Sequence, residues 1–187
     1  MTKSARNRAV YEDLFDIPEN KTGEIINGEL IVTPRPSRKH SIATSRLGSE
    51  LIPAYDFGRG GGPGGWIILD EPEISFGEDI LVPDLAGWKK ERFPVEEPHN
   101  WISVAPDWVC EILSPWTAQV DRTEKMPIYA RHQVSHAWLI DPILKTLEVF
   151  QFEPGRWVVL GVYAKSAKVR AEPFVAIELD LGLLWLE

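Results

Sequence analysis

The stretch Trp108–Ser114 reads Trp-Val-Cys-Glu-Ile-Leu-Ser. By strand parity Trp108, Cys110 and Ile112 share one face, and Val109, Glu111 and Leu113 the other. Both faces are apolar, the pattern of a central strand covered on both sides. Glu111 is the exception, since a carboxylate is seldom buried unless it is paired or bound to a metal. Upstream, Ile80–Trp88 reads Ile-Leu-Val-Pro-Asp-Leu-Ala-Gly-Trp and predicts a second apolar strand, with Asp84 as its one charge. Either acid alone is also explained by a strand end reaching into solvent. Two acids on apolar strands of one sheet suggest a hard-cation site, because Mg²⁺ takes one or two carboxylates and leaves its other positions to water and phosphate.

Downstream, a helix is predicted from about Ala118 to His132. Asp121, Lys125 and Tyr129 are four residues apart on one stripe of it. A strand–turn–helix connection brings Lys125 toward Glu111; the alternative is an exposed Asp121–Lys125 pair worth about 0.3–0.5 kcal/mol. Spacing alone favours the exposed pair. Pro127 should bend or restart this helix.

Toward the N-terminus, Val10–Phe15 reads as a short helix, and Asn27-Gly28 inside Gly23–Val32 as a two-residue hairpin turn. A helix over Arg38–Leu51 follows, capped by Ser37, with the stripe His40, Ala43, Leu47, Leu51. Residues 58–65, GRGGGPGG, form a loop without the Lys-Ser/Thr ending of a phosphate loop. Further strands are predicted at Trp66–Leu69, Glu73–Phe76, Ala137–Ile140, Thr146–Phe152 and Trp157–Tyr163. The polar stretch Lys89–Asn100 is an excursion. The order gives an α/β (α+β) fold: a mixed β-sheet flanked by helices, with an N-terminal hairpin and extra C-terminal strands, in a single domain over 1–187.

The composition of 44% apolar and 26% charged residues in 187 excludes a disordered or collagenous chain. The net charge of −8 argues mildly against a protein that coats nucleic acid. Yet Leu30–Ser49 holds no acid and carries Arg35, Arg38, Lys39 and Arg46, a strip that either meets phosphate or is a solvated face. No apolar run is long enough for a membrane span, and the first residues lack the apolar core of a secretory signal. Cys110 is the single cysteine, so a reducing, cytoplasmic setting is expected. Parity turns Cys110 away from Glu111. Glu24, Glu71, His40 and Asp121 are candidate auxiliary groups. The pattern favours solvent-facing strand acids for Glu24 and Glu71, and a half-buried histidine for His40. Base stacking on Trp66, Trp88 or Trp101 competes with a core role, which the strand patterns favour. His99, His132 and His136 show no metal-ligand spacing.

Several runs taken together resemble one family. They are VPDLA at 82–86, PDWVCEILSP at 106–115, the D-x-x-x-K-x-x-x-Y of Asp121–Tyr129, AWLIDP at Ala137–Pro142, and upstream GEIINGEL with His40. Their order resembles the "putative restriction endonuclease" (Uma-type) family of the PD-(D/E)xK nuclease superfamily, over about residues 10–180. The resemblance implies a restriction-endonuclease-like core and a Mg²⁺-dependent endonuclease acting on DNA, with Mn²⁺ able to substitute. Asp84 and Glu111 would be the catalytic and metal-binding acids, with the Ile112 carbonyl as a further ligand. Leu113 stands where the superfamily's lysine usually lies, and Lys125 matches a lysine migrated to the following helix. Independently of the resemblance, Arg35, Arg38 and Lys39 of the basic strip are the candidate phosphate contacts. Relatives that cut both strands often act as homodimers, and Leu181–Leu186 either packs in the domain or forms such an interface. Two rival readings remain: a nuclease-fold protein that binds nucleic acid or a protein partner without cutting, and a β-rich ligand-binding domain without nucleic acid.

Overall fold

Asn27 and Gly28 have φ of 53° and 80°, the positive pair that a two-residue hairpin turn requires. They join β1 (Lys21–Ile26) to β2 (Glu29–Pro34). The computed structural model describes residues 8–186; Met1–Asn7 and Glu187, counted in the predicted domain, lie outside the described residues. A 3₁₀ turn, Tyr11–Asp16, precedes the hairpin where a short helix is expected. Helix α1 (Arg38–Leu51) follows, its Ser37 hydroxyl accepting the His40 N–H at 3.4 Å. The predicted stripe His40, Ala43, Leu47, Leu51 is its buried face.

The remaining strands and α-helices in order begin with β3 (Trp66–Asp70), β4 (Ile74–Phe76), β5 (Asp79–Leu81), β6 (Leu85–Lys89) and β7 (Trp108–Ile112). Then come α2 (Ala118–Val120), α3 (Met126–Arg131), β8 (His136–Asp141), β9 (Thr146–Glu153), β10 (Arg156–Ala164), β11 (Lys168–Val169) and β12 (Leu179–Asp180). Six strands form the main sheet in the order β10-β9-β8-β7-β6-β3, and four form a second in the order β2-β1-β5-β4. Strands β11 and β12 pair separately.

This corrects the expectation of one continuous strand over Ile80–Trp88. Strand β5 pairs with β1 in the second sheet, and β6 pairs with β7 in the main one. Pro83 stands at the break; it has no N–H for a ladder, and its fixed φ favours a change of course. Asp84 therefore lies just outside β6, where the chain passes from one sheet to the other.

Strand β7 is buried along its whole length, as its two apolar faces require. Trp108, Cys110 and Ile112 pack with the α1 stripe, Trp138 and Phe174. Val109 and Leu113 pack with Trp88, Ile128, Tyr129 and Leu139. The pairing of β7 with β8 is parallel, in a sheet otherwise antiparallel. A parallel pair needs a crossover, and the helical segment 118–131 supplies it, laid over the face that carries Glu111.

Trp66 and Trp88 are core residues, while Trp101 is half-buried and stacked on the His99 ring. Leu181, Leu184 and Trp185 pack inside the domain. Among the described residues no helix is long and apolar enough to cross a membrane.

The glycine-rich loop has a packing role. Gly64 donates its N–H to the Ala54 carbonyl at 3.0 Å, and a Cβ on Gly62 would fall on the backbone of Ala54. Gly62→Ala should therefore lower the unfolding free energy in urea by about 1–3 kcal/mol, the usual cost of overpacking. An unchanged midpoint would show that the loop can lift off at no cost.

Candidate functional site

The crossover helix carries a wide turn that aims its charged side chains inward. Asp121–Lys125 is one π turn between α2 and α3, closed by Met126 N–H to the Asp121 carbonyl. Pro127 accounts for its position. A proline lacks the N–H that would bond Thr123, and its ring would strike that carbonyl in a regular helix. The extra residue relieves the clash, so the helix widens at the position where a bend or restart is expected.

Asp121 and Lys125 are both buried, at 2% and 5% exposure, so the exposed ion pair that spacing favoured is not what forms. The Lys125 ammonium lies 2.8 Å from Glu24 Oε1, 3.3 Å from Glu111 Oε1 and 3.6 Å from Asp121 Oδ1. Glu24 comes from β1, which brings the second sheet against the end of the main one. Its Oε1 also accepts the Val82 N–H at 2.7 Å. Glu111, 2% exposed, accepts the Tyr129 hydroxyl on Oε1 at 2.5 Å.

Asp84 completes the group. Its Oδ2 accepts the Ile112 N–H at 2.6 Å, which ties it to β7 next to Glu111. Its Oδ1 lies 3.0 Å from His40 Nε2. His40 Nδ1 is buried without a hydrogen-bond partner among the described residues. A cavity of about 400 Å³ is lined by Glu24, Asp84, Glu111, Asp121, Lys125 and His40, with Arg35, Ser114 and Trp116 among its other walls.

Burial pushes the Glu111 carboxyl well above the usual carboxylate range, more than Lys125 pulls it down. Asp121, Asp84 and Glu24 add to the rise. Asp121 is raised as well, again first by burial, against Lys125 and a hydrogen bond from Thr117. For Lys125, burial favours the neutral amine. Glu111, Glu24 and Asp121 outweigh it and hold the ammonium charged, well above the ordinary lysine value. Burial and Glu111 together raise Tyr129, which remains a hydrogen-bond donor. Four carboxylates thus share one lysine and one imidazole.

That donor set suits a hard divalent cation: the oxygens are carboxylate, no thiolate lines the pocket, and the acids exceed the cations. Among the described residues no three His, Cys, Asp or Glu side chains form a ready metal cage. Mg²⁺ does not require one, since it binds through one or two carboxylates with water and substrate phosphate completing its shell. Asp84 and Glu111 could hold it in that way.

The other candidates divide. Arg35 and Glu71 stand together at the mouth, 3.6 Å apart. Glu71 follows β3 at a φ of 45°; it does not open a strand. Arg38 and Lys39 are exposed on the first turn of α1, away from the pocket lining. Glu24, also read as a solvent-facing acid, is buried. Leu113, two residues after Glu111, belongs to the core. Two contributors carried no assigned role in the sequence reading. Tyr129 could have been found from its place on the Asp121–Lys125 stripe. Trp116 could have been found as a tryptophan in a turn, outside any apolar pattern.

A family profile described as "Putative restriction endonuclease", Uma2, matches residues 11–183. Among solved structures the chain is similar to that of a "putative nuclease belonging to DUF820" from Anabaena variabilis. The two are 28% identical with a TM-score of 0.76, over 94% of this chain and 97% of the other. No curated protein matches.

The charge excess has a consequence for stability. A carboxyl whose pKa is raised by folding stabilises the fold below its unfolded pKa, and that contribution is lost as pH rises through the folded value. Glu111→Gln, measured in EDTA, should raise stability near neutral pH by about 0.5–2 kcal/mol, and the gain should shrink as the pH falls toward the ordinary carboxylate range. Lys125 keeps Glu24 and Asp121 as counter-ions in that variant. Thermal unfolding across pH reads this directly; a loss of stability at every pH would make Glu111 a structural partner of Lys125.

Proposed function

The chain belongs to the Uma2 family, and on that premise we propose that it is a metal-dependent endonuclease hydrolysing phosphodiester bonds of DNA. The observation that carries this reading is the buried Lys125, 3.3 Å from Glu111 in the pocket that also holds Asp84. A lysine, two acids and an excess of negative charge in one cleft match the chemistry of phosphate hydrolysis better than that of a structural ion pair.

Asp84 and Glu111 are the proposed ligands of Mg²⁺, with Mn²⁺ able to replace it. When bound, such an ion polarises the phosphate and lowers the pKa of a coordinated water. Lys125 stabilises the negative charge that builds on the phosphate oxygens, a role for which an ammonium fixed among buried acids is well suited. Glu24 and Asp121 keep that ammonium charged and in place. The Tyr129 hydroxyl orients Glu111, and His40 orients Asp84. Arg35 at the mouth is the proposed phosphate contact. One such pocket serves one strand, so cleavage of both strands calls for a second copy related by two-fold symmetry.

Supercoiled plasmid incubated in Mg²⁺, Mn²⁺ or EDTA tests the reading. The expected result is metal-dependent nicking, absent in EDTA. Asp84→Asn and Glu111→Gln should abolish it while circular dichroism stays unchanged. Lys125→Ala should slow it by about 10²–10³, the scale of losing one charge-stabilising group. Nicking that survives in both acid variants, or absence of metal-dependent cutting on every nucleic acid supplied, would contradict the proposal.

A further inference from the structure

The chain has eight tryptophans. Among the described residues Trp116 alone is exposed, at 80%; the other seven are buried or half-buried. It stands five residues after Glu111, in the turn that leads from β7 into α2. Ser114 fixes that turn. Its hydroxyl accepts the Trp116 and Thr117 N–H groups at 3.3 and 3.2 Å, and its carbonyl accepts the Thr117 and Ala118 N–H groups at 3.2 and 2.9 Å. An indole on a fixed turn, left in water, forgoes a large gain from burial, and the core does not account for it.

Its surroundings identify what covers it. Trp116 lines the same cavity as Asp84, Glu111 and Lys125, with Pro115 and the exposed Ile143 beside it. Arg35 lines the cavity too; its side chain is 57% exposed and its nearest carboxylate contact is long, at 3.6 Å, which leaves it free to turn to a phosphate. An aromatic face, a guanidinium and a phosphate-hydrolysing centre in one opening of about 400 Å³ match the parts and the size of a single nucleotide. We propose that Trp116 is a stacking platform for an unpaired nucleobase next to the scissile phosphate, so that the preferred substrate is single-stranded, frayed or flipped DNA. Inside an intact duplex both faces of each base are covered by neighbours, and away from the ends the indole has nothing to stack on. Stacking on an indole tolerates every base, so the platform selects for the unpaired state more than for sequence. The inference rests on the nuclease reading of the same pocket.

The test measures binding apart from cutting. Fluorescein-labelled oligothymidylate and a blunt duplex are titrated with the Glu111→Gln protein in Mg²⁺, and with the same protein carrying Trp116→Ala or Trp116→Phe. Trp116→Ala should weaken single-strand binding roughly 5- to 150-fold, the range that one base–aromatic stack supports. Duplex affinity should stay within about twofold, and Trp116→Phe should recover most of the loss. Single-strand affinity unchanged in Trp116→Ala, or an equal loss on both probes, would overturn the platform. Were the wild-type enzyme then still to cut, the nuclease reading would stand without it. Absence of binding to either probe together with absence of metal-dependent cutting would remove both.

Discussion

The burial of the Lys125 ammonium among Glu24, Glu111 and Asp121 is the constraint on which the rest of the site depends. A charged lysine removed from water is costly unless it is well paired, and here three parts of the fold supply the partners. Glu24 requires the hairpin, Glu111 the central strand, and Asp121 the wide turn of the crossover helix. Each of these three parts is thereby fixed against the other two through the one ammonium. The two sheets and the crossover are thus held in register by one side chain as well as by their apolar faces.

The same cluster is unbalanced in the other direction. Adding Asp84 gives four carboxylates to one lysine and one imidazole; burial first, and the neighbouring acids after it, hold the Glu111 carboxyl well above the usual carboxylate range. A fold selected for stability alone would place a neutral side chain there. Strain of this kind is common where a protein keeps a charge for a ligand, and the proposed divalent cation is the ligand that removes it. The packed Leu113 fits this picture: β7 gives that position to the core, and the ammonium reaches the acids from the crossover helix.

Much of this was legible in the sequence. The parity of Trp108–Ser114 identified the central strand, its two covered faces and the isolation of Cys110 from Glu111. The Asn27-Gly28 turn and the α1 stripe were equally plain, because each is local chemistry. What failed was non-local. Ile80–Trp88 reads as one strand, since no local signal says that its two halves pair in different sheets; Pro83 was the clue. Glu24 and the Asp121–Lys125 pair look solvent-facing in isolation, and their burial follows only from the way the hairpin and the crossover helix close over the end of β7. Pro127 announced an irregular helix without saying that it would widen and turn Lys125 inward.

The most direct measurement is a calorimetric titration of the metal-free protein with Mg²⁺, in two buffers of different protonation enthalpy. Binding should release protons, because the cation replaces a proton held at Glu111, and affinity should be lost in both Asp84→Asn and Glu111→Gln. Mg²⁺ binding of equal strength in those variants, or absence of binding in the wild type, would contradict it.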